Sequence, residues 1–160
     1  MVVAGTALSS DKSQRASVAR SRKQQRTQWT AQFLVASELA RNGYTVSFTM
    51  GNHTPVADLM VGCANGTQFW VDVKGLSSSN AWVVKPKERR HGLYYVLTRV
   101  GDKRADDRFF ILTQEEANRT IQHYQEKHQS AKHEVSGFNF NDAMPFEGAW
   151  RKLPEWPDKK

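Results

Sequence analysis

The stretch ADLMVGCANGTQFWVDVKG, Ala57 to Gly75, constrains this chain more than any other. Two apolar runs flank Asn65-Gly66, and an Asn-Gly pair between such runs is the strongest short-range signal for a β-hairpin. A three-residue loop, Ala64-Asn65-Gly66, sets Cys63 opposite Thr67 and thereby carries Asp58 opposite Asp72. Directly opposed residues of paired strands hold their Cβ atoms about 5 Å apart. Residues two apart on a strand share a face. Trp70, Asp72 and Lys74 therefore share one face, while Phe69, Val71 and Val73 take the other and read as core.

Opposed carboxylates repel. Such a pair holds a proton or binds a cation that neutralises both acids. Oxygen-only donors of this kind suit Mg²⁺ or Mn²⁺. An ion there lowers the pKa of a water and stabilises charge on a phosphodiester. Lys74 is placed to orient or deprotonate that water, or to stabilise the transition state. The same spacing also describes a surface salt bridge between Lys74 and one acid on a solvated sheet face.

The remaining chain reads as a frame for this hairpin. Residues 27–42, TQWTAQFLVASELARN, read as a helix: Trp29, Phe33, Ala36 and Ala40 recur at helical spacing, Leu34, Val35 and Leu39 widen the apolar face, and Asn42-Gly43 ends it. Strands are expected at YTVSFTM, on both sides of the hairpin, at NAWVVKP, GLYYVLTRV and RFFILT, and a helix from Gln114 to about Gln129. In residues 130–160, Phe138, Phe140, Met144, Phe146, Trp150 and Trp156 are expected to pack back onto the body. Helix, five or six strands joined mostly by short loops, then helix implies an α/β or α+β class, with a central mixed β-sheet flanked by helices.

A chain of 160 residues suffices for one domain with a sizeable core, here residues 27–160. Residues 1–26 form a basic leader, with six cations against Asp11, and account for most of the net charge of +7. Rich in Ser, Gln and Arg, the leader reads as disordered at least to about Ser21. It suits phosphate contacts, or no specific partner at all. Cys63 is the one cysteine, which excludes an internal disulfide and a cysteine-based zinc cluster. There is no apolar run of about 18 residues and no secretory h-region, so a cytoplasmic protein is the expectation.

Other chemistry-bearing residues carry weaker signals. Lys85, Lys87, Arg89 and Arg90 form a basic loop that suits either phosphate contacts or solvent. His123, His128 and His133 are spaced by five, which spreads them around a helix, so they read as solvated rather than as zinc ligands. His53 lies in the loop before Asp58. Ser77, Ser78 and Ser79 read as a turn, and Trp82 as core rather than as a base-stacking platform. No Walker-type or dinucleotide-type glycine loop is present.

Pro55-Val-Ala-Asp58, followed fourteen residues on by Asp72-Val-Lys74, resembles the PD-(D/E)XK nuclease superfamily, with its restriction-endonuclease-like fold. The helix ending LARNGY, the apolar strand carrying DVK, and the segments AWVVKPKERRHGLYYVLTRV, RFFILTQEE and FNFNDAMPFEGAW extend the likeness to small stand-alone bacterial members over about residues 27–155. The resemblance implies a metal-dependent endonuclease acting on DNA. Asp58, Asp72 and the Val73 carbonyl would hold Mg²⁺ or Mn²⁺, Lys74 would serve catalysis, and a homodimer is compatible. Here the proline stands three residues before Asp58, and Gln32, in AQFLV, occupies the helix position where many members carry a metal-binding glutamate. Glu38 lies on another face of the helix. Gln32 therefore implies either a neutral oxygen in a supporting role or, alternatively, a non-catalytic nucleic-acid-binding or regulatory module on the same fold.

Overall fold

A computed structural model describes residues 6–49, 56–78, 80–128 and 136–157. Helix α1 (Thr6–Arg41) leads into strand β1 (Thr45–Phe48) through Gly43, whose φ of +89° closes the helix where Asn42-Gly43 predicts. The hairpin follows as β2 (Leu59–Gly62) and β3 (Gln68–Leu76). Then come β4 (Ala81–Val83), β5 (Leu93–Arg99), β6 (Arg108–Thr113), α2 (Gln114–Lys127), β7 (Gly137–Asn139) and a single turn, α3 (Phe140–Ala143).

Five strands form one mixed sheet in the order β1-β2-β3-β5-β6, and β4 pairs with β7 in a second, smaller sheet. The α+β class and the mixed sheet agree with the sequence. The hairpin register does too: Leu59 faces Val71, and Cys63 N donates to the Thr67 carbonyl at 2.8 Å.

β3 and β5 run parallel, not antiparallel as short loops suggest. Residues 77–92 leave the sheet, form β4 and the basic loop, and re-enter beside β3, a connection long enough for a parallel crossover. β7 went unread because GFN is a strand only by virtue of β4 opposite it.

A separate core covers each face of the large sheet. On one, Val35 and Leu39 of α1 pack on Leu59, Val61, Phe69, Val71, Val73 and Val96. On the other, Trp82, Leu93, Tyr95, Leu97, Phe110, Ile121 and Phe138 are buried together. Trp82 is core as read, edge-on to Phe110 and stacked on Phe140. Phe140 and Phe146 flank this core, and Trp150 and Trp156 flank the first. Met144, expected to pack, is 42% exposed.

Two readings of the first helix change. Its buried stripe runs through Ala31, Val35 and Leu39, while Phe33 (57% exposed) stacks on Trp29 outside the core and Ala40 is exposed. The helix also starts at Thr6, well before Thr27, so residues 6–26 are helical rather than disordered. The side chains of residues 14–26 are exposed, and this stretch contributes nothing to either core. Among the described residues, no helix is long and apolar enough to cross a membrane.

Gly75 fixes how closely α1 lies on β3. A Cβ there would stand 2.7 Å from the Thr27 carbonyl oxygen and 2.9 Å from Ala31 Cβ. Only glycine permits this approach, which brings the glutamines of α1 onto the strand that carries Asp72 and Lys74.

Candidate active site

β2 parts from β3 at Asp58. The Asp58 N–H still donates to the Val71 carbonyl at 3.1 Å, and the Asp58 carbonyl accepts from Thr49 N at 3.0 Å. Beyond this point no strand among the described residues pairs with β3 on that side, so the next inward N–H, that of Val73, needs an acceptor. Asp58 Oδ2 supplies it at 2.8 Å. Its other oxygen, Oδ1, accepts from Gln32 Nε2 at 2.8 Å. Gln32 is buried, although the surrounding helix face is apolar.

Asp72, next to Val71 on β3 and close enough to Asp58 for their charges to interact, is 1% exposed. Lys74 Nζ bonds its Oδ1, and Lys87 Nζ pairs with its Oδ2. Lys87 Nζ also donates to the Val56 carbonyl at 2.9 Å. Two carboxylates and two ammonium groups thus meet at the opening between β2 and β3. Burial pushes the Asp58 carboxyl up to about 6; Lys74 acts against this, Asp72 adds to it, and the Val73 N–H and Lys87 also oppose it. Tyr95 lies beside Asp72 in the β3–β5 register, and burial together with Asp72 raises its hydroxyl pKa. That hydroxyl is buried without a hydrogen-bond partner.

Gln28, one helical turn before Gln32, grips the strand on both sides of Lys74. Its Nε2 donates to the Val73 carbonyl at 2.7 Å, and its Oε1 accepts from Gly75 N at 2.9 Å. Gln28 and Gln32 share a face of α1 at i, i+4 spacing, so one helix sets both Asp58 and the backbone that carries Lys74.

The structure brings together Asp58, Asp72, Lys74, Gln32 and Val73, as the sequence reading grouped them. It separates the basic loop. Lys87, read as a phosphate contact, turns into the site. Lys85, Arg89 and Arg90 stay exposed, with the Arg90 guanidinium 4.8 Å over the Trp70 ring. Gln114 anchors this loop: its Nε2 donates to the Glu88 carbonyl at 2.7 Å and its Oε1 accepts from Arg90 N at 2.7 Å. Gln28 and Gln114 were missed as functional residues, and Lys87 was read on the phosphate surface rather than against Asp72. The available signal was polar side chains at buried positions, above all Gln28 four residues before Gln32.

Glu38 is taken up by Asn42 at the helix end. His123 and His128 are exposed, and Ser77 and Ser78 form an exposed turn. His53, Pro55, Ser79 and His133 lie outside the described residues. No protein-family model matches the chain, and neither a curated protein nor a solved structure matches it.

Proposed function

We propose that the protein is a metal-dependent nuclease that hydrolyses phosphodiester bonds in DNA. The observation that carries this reading is the pairing of Asp58 with Asp72 where β2 leaves β3, with Lys74 hydrogen-bonded to Asp72. The donor set fits a hard divalent cation: two carboxylates and the Val73 carbonyl, all oxygen. The Asp58 carboxyl, raised to about 6 chiefly by burial with Asp72 adding to it, is a group whose ionised form an added cation would favour. Asp58, Asp72 and the Val73 carbonyl would hold Mg²⁺ or Mn²⁺, which when bound supplies charge stabilisation at the phosphate and a more acidic water.

The chain's own groups do the rest. Asp72 holds the Lys74 ammonium beside the carboxylates, where it orients the attacking water or stabilises the charge that develops on the phosphate oxygens. Gln32 fixes the Asp58 carboxylate, and Gln28 fixes the Val73 carbonyl and the Lys74 backbone. Lys87 sits on a loop rather than a strand, so its ammonium can leave Asp72 and follow the phosphate.

A second reading is a non-catalytic nucleic-acid-binding or regulatory module on the same fold. Gln32 favours it, since a neutral amide stands against Asp58, and Lys74 and Lys87 neutralise Asp72 without any added ion. Incubation with supercoiled plasmid, single-stranded DNA, a four-way junction and RNA, in Mg²⁺, Mn²⁺ or EDTA, separates the two. Cleavage of DNA that EDTA abolishes is the expected result; binding without cleavage of any substrate supports the second reading instead.

A further inference from the structure

The exposed half of α1 forms one wall of a groove of about 440 Å³ that runs up to Lys74. Arg20 and Lys23, three residues apart and so on one helix face, line it together with Gln24. The facing wall is the end of β3, the Ser77-Ser78 turn and β4. Among the described residues no carboxylate lines it, while Arg20, Lys23 and Lys74 place three cations along it. The β4 wall also carries Val83, an apolar side chain left 77% exposed. Cations along one wall, hydroxyls and an exposed apolar side chain on the other, are the elements of a phosphodiester strand site: phosphates along the basic wall, sugar or base against Val83.

We propose that this groove binds a single nucleic-acid strand, DNA or RNA, and delivers its phosphodiester to Lys74. The volume decides for one strand over two. Clefts of roughly 300–1,000 Å³ enclose one drug-sized ligand, comparable with a nucleotide, and a duplex is far too bulky to enter between these walls. The groove lies between α1 and β4, and no residue of the Lys85–Arg90 loop lines it, so it is a different surface from the one the basic loop offers. This inference deepens the hydrolase reading by naming its substrate class. It explains why α1 extends past both cores: the extension builds the groove.

The test is fluorescence anisotropy with the full chain in EDTA, using a labelled oligothymidine, its ribose counterpart and a duplex of equal length. Because no metal is present, binding stands or falls separately from hydrolysis. Either single strand, or both, should bind at least about tenfold more tightly than the duplex. The double variant R20E/K23E should weaken single-strand binding about tenfold or more. It should also flatten the salt dependence by about 0.7 per lost phosphate contact. Val83→Asp, on the opposite wall, should weaken binding without touching α1. Duplex binding as tight as single-strand binding would overturn the proposal. So would affinity and salt slope left unchanged by these charge substitutions.

Discussion

Asp58 gives up water to lie between Gln32 and the Val73 N–H. Burial pushes its carboxyl up to about 6, against about 3.9 for an unperturbed aspartate. A folded-state pKa above the unfolded one means that the folded protein binds this proton more tightly. The contribution of this group to stability is therefore full below about pH 4 and is lost as the pH rises through about 6. The loss is of order 3 kcal/mol. Asp58→Asn removes the charge, and Gln32 can turn its amide to accept from the new N–H while Val73 N keeps an oxygen acceptor. In paired denaturant melts, wild type should lose stability relative to Asp58→Asn between pH 4 and pH 7. At pH 7 the variant should be more stable by about 1–2 kcal/mol, while its cleavage activity disappears. An Asp58→Asn variant less stable than wild type at pH 7 would mean that the ionised carboxylate is well accommodated, contrary to this account. The hairpin register, with Leu59 opposite Val71, was legible because an Asn-Gly loop fixes register locally. The Gln28 and Lys87 contacts were not, because Gln28 meets a carbonyl 45 positions away and Lys87 one 31 positions away, and neither leaves a local pattern.

At the scale of elements, α1 is the positioning device, and Gln28 is where it can be tested. Gln28→Ala strands the Val73 carbonyl and the Gly75 N–H beneath the helix. Leaving such groups unpaired costs about 1–3 kcal/mol, so the thermal midpoint should fall by several degrees for a chain of this size. Catalysis should suffer further: kcat falls, because the backbone that carries Lys74 loosens. An equal loss in a variant destabilised elsewhere to the same extent would make Gln28 merely structural. The elements themselves were unevenly legible. RFFILT reads as a strand and is β6 residue for residue, since its β-branched and aromatic residues leave little choice. The start of α1 was hidden, because residues 14–26 bury nothing and so show no apolar periodicity. Phe33 and Ala40 were assigned to the buried face because spacing alone does not say which of two apolar stripes meets the sheet.

For the molecule as a whole, the mixed sheet brings three distant segments to one place: α1 with its glutamines, the β2–β3 hairpin with the acids and Lys74, and the 84–92 loop with Lys87. The parallel β3–β5 pair makes this possible by sending residues 77–92 out over the second face before β5 returns. The sequence carried the class and the hairpin but not this crossover, which depends on β4 finding β7 more than fifty residues later. This convergence is the proposed hydrolytic site, with Lys74 at its centre. The measurement that tests it most directly is the rate of Mg²⁺-dependent strand cleavage by Lys74→Ala beside wild type, both shown to melt at matching temperatures. The account predicts cleavage by wild type and a loss of at least about a hundredfold in the variant, as expected when a group that orients water or stabilises charge is removed. Cleavage by Lys74→Ala at the wild-type rate would contradict it.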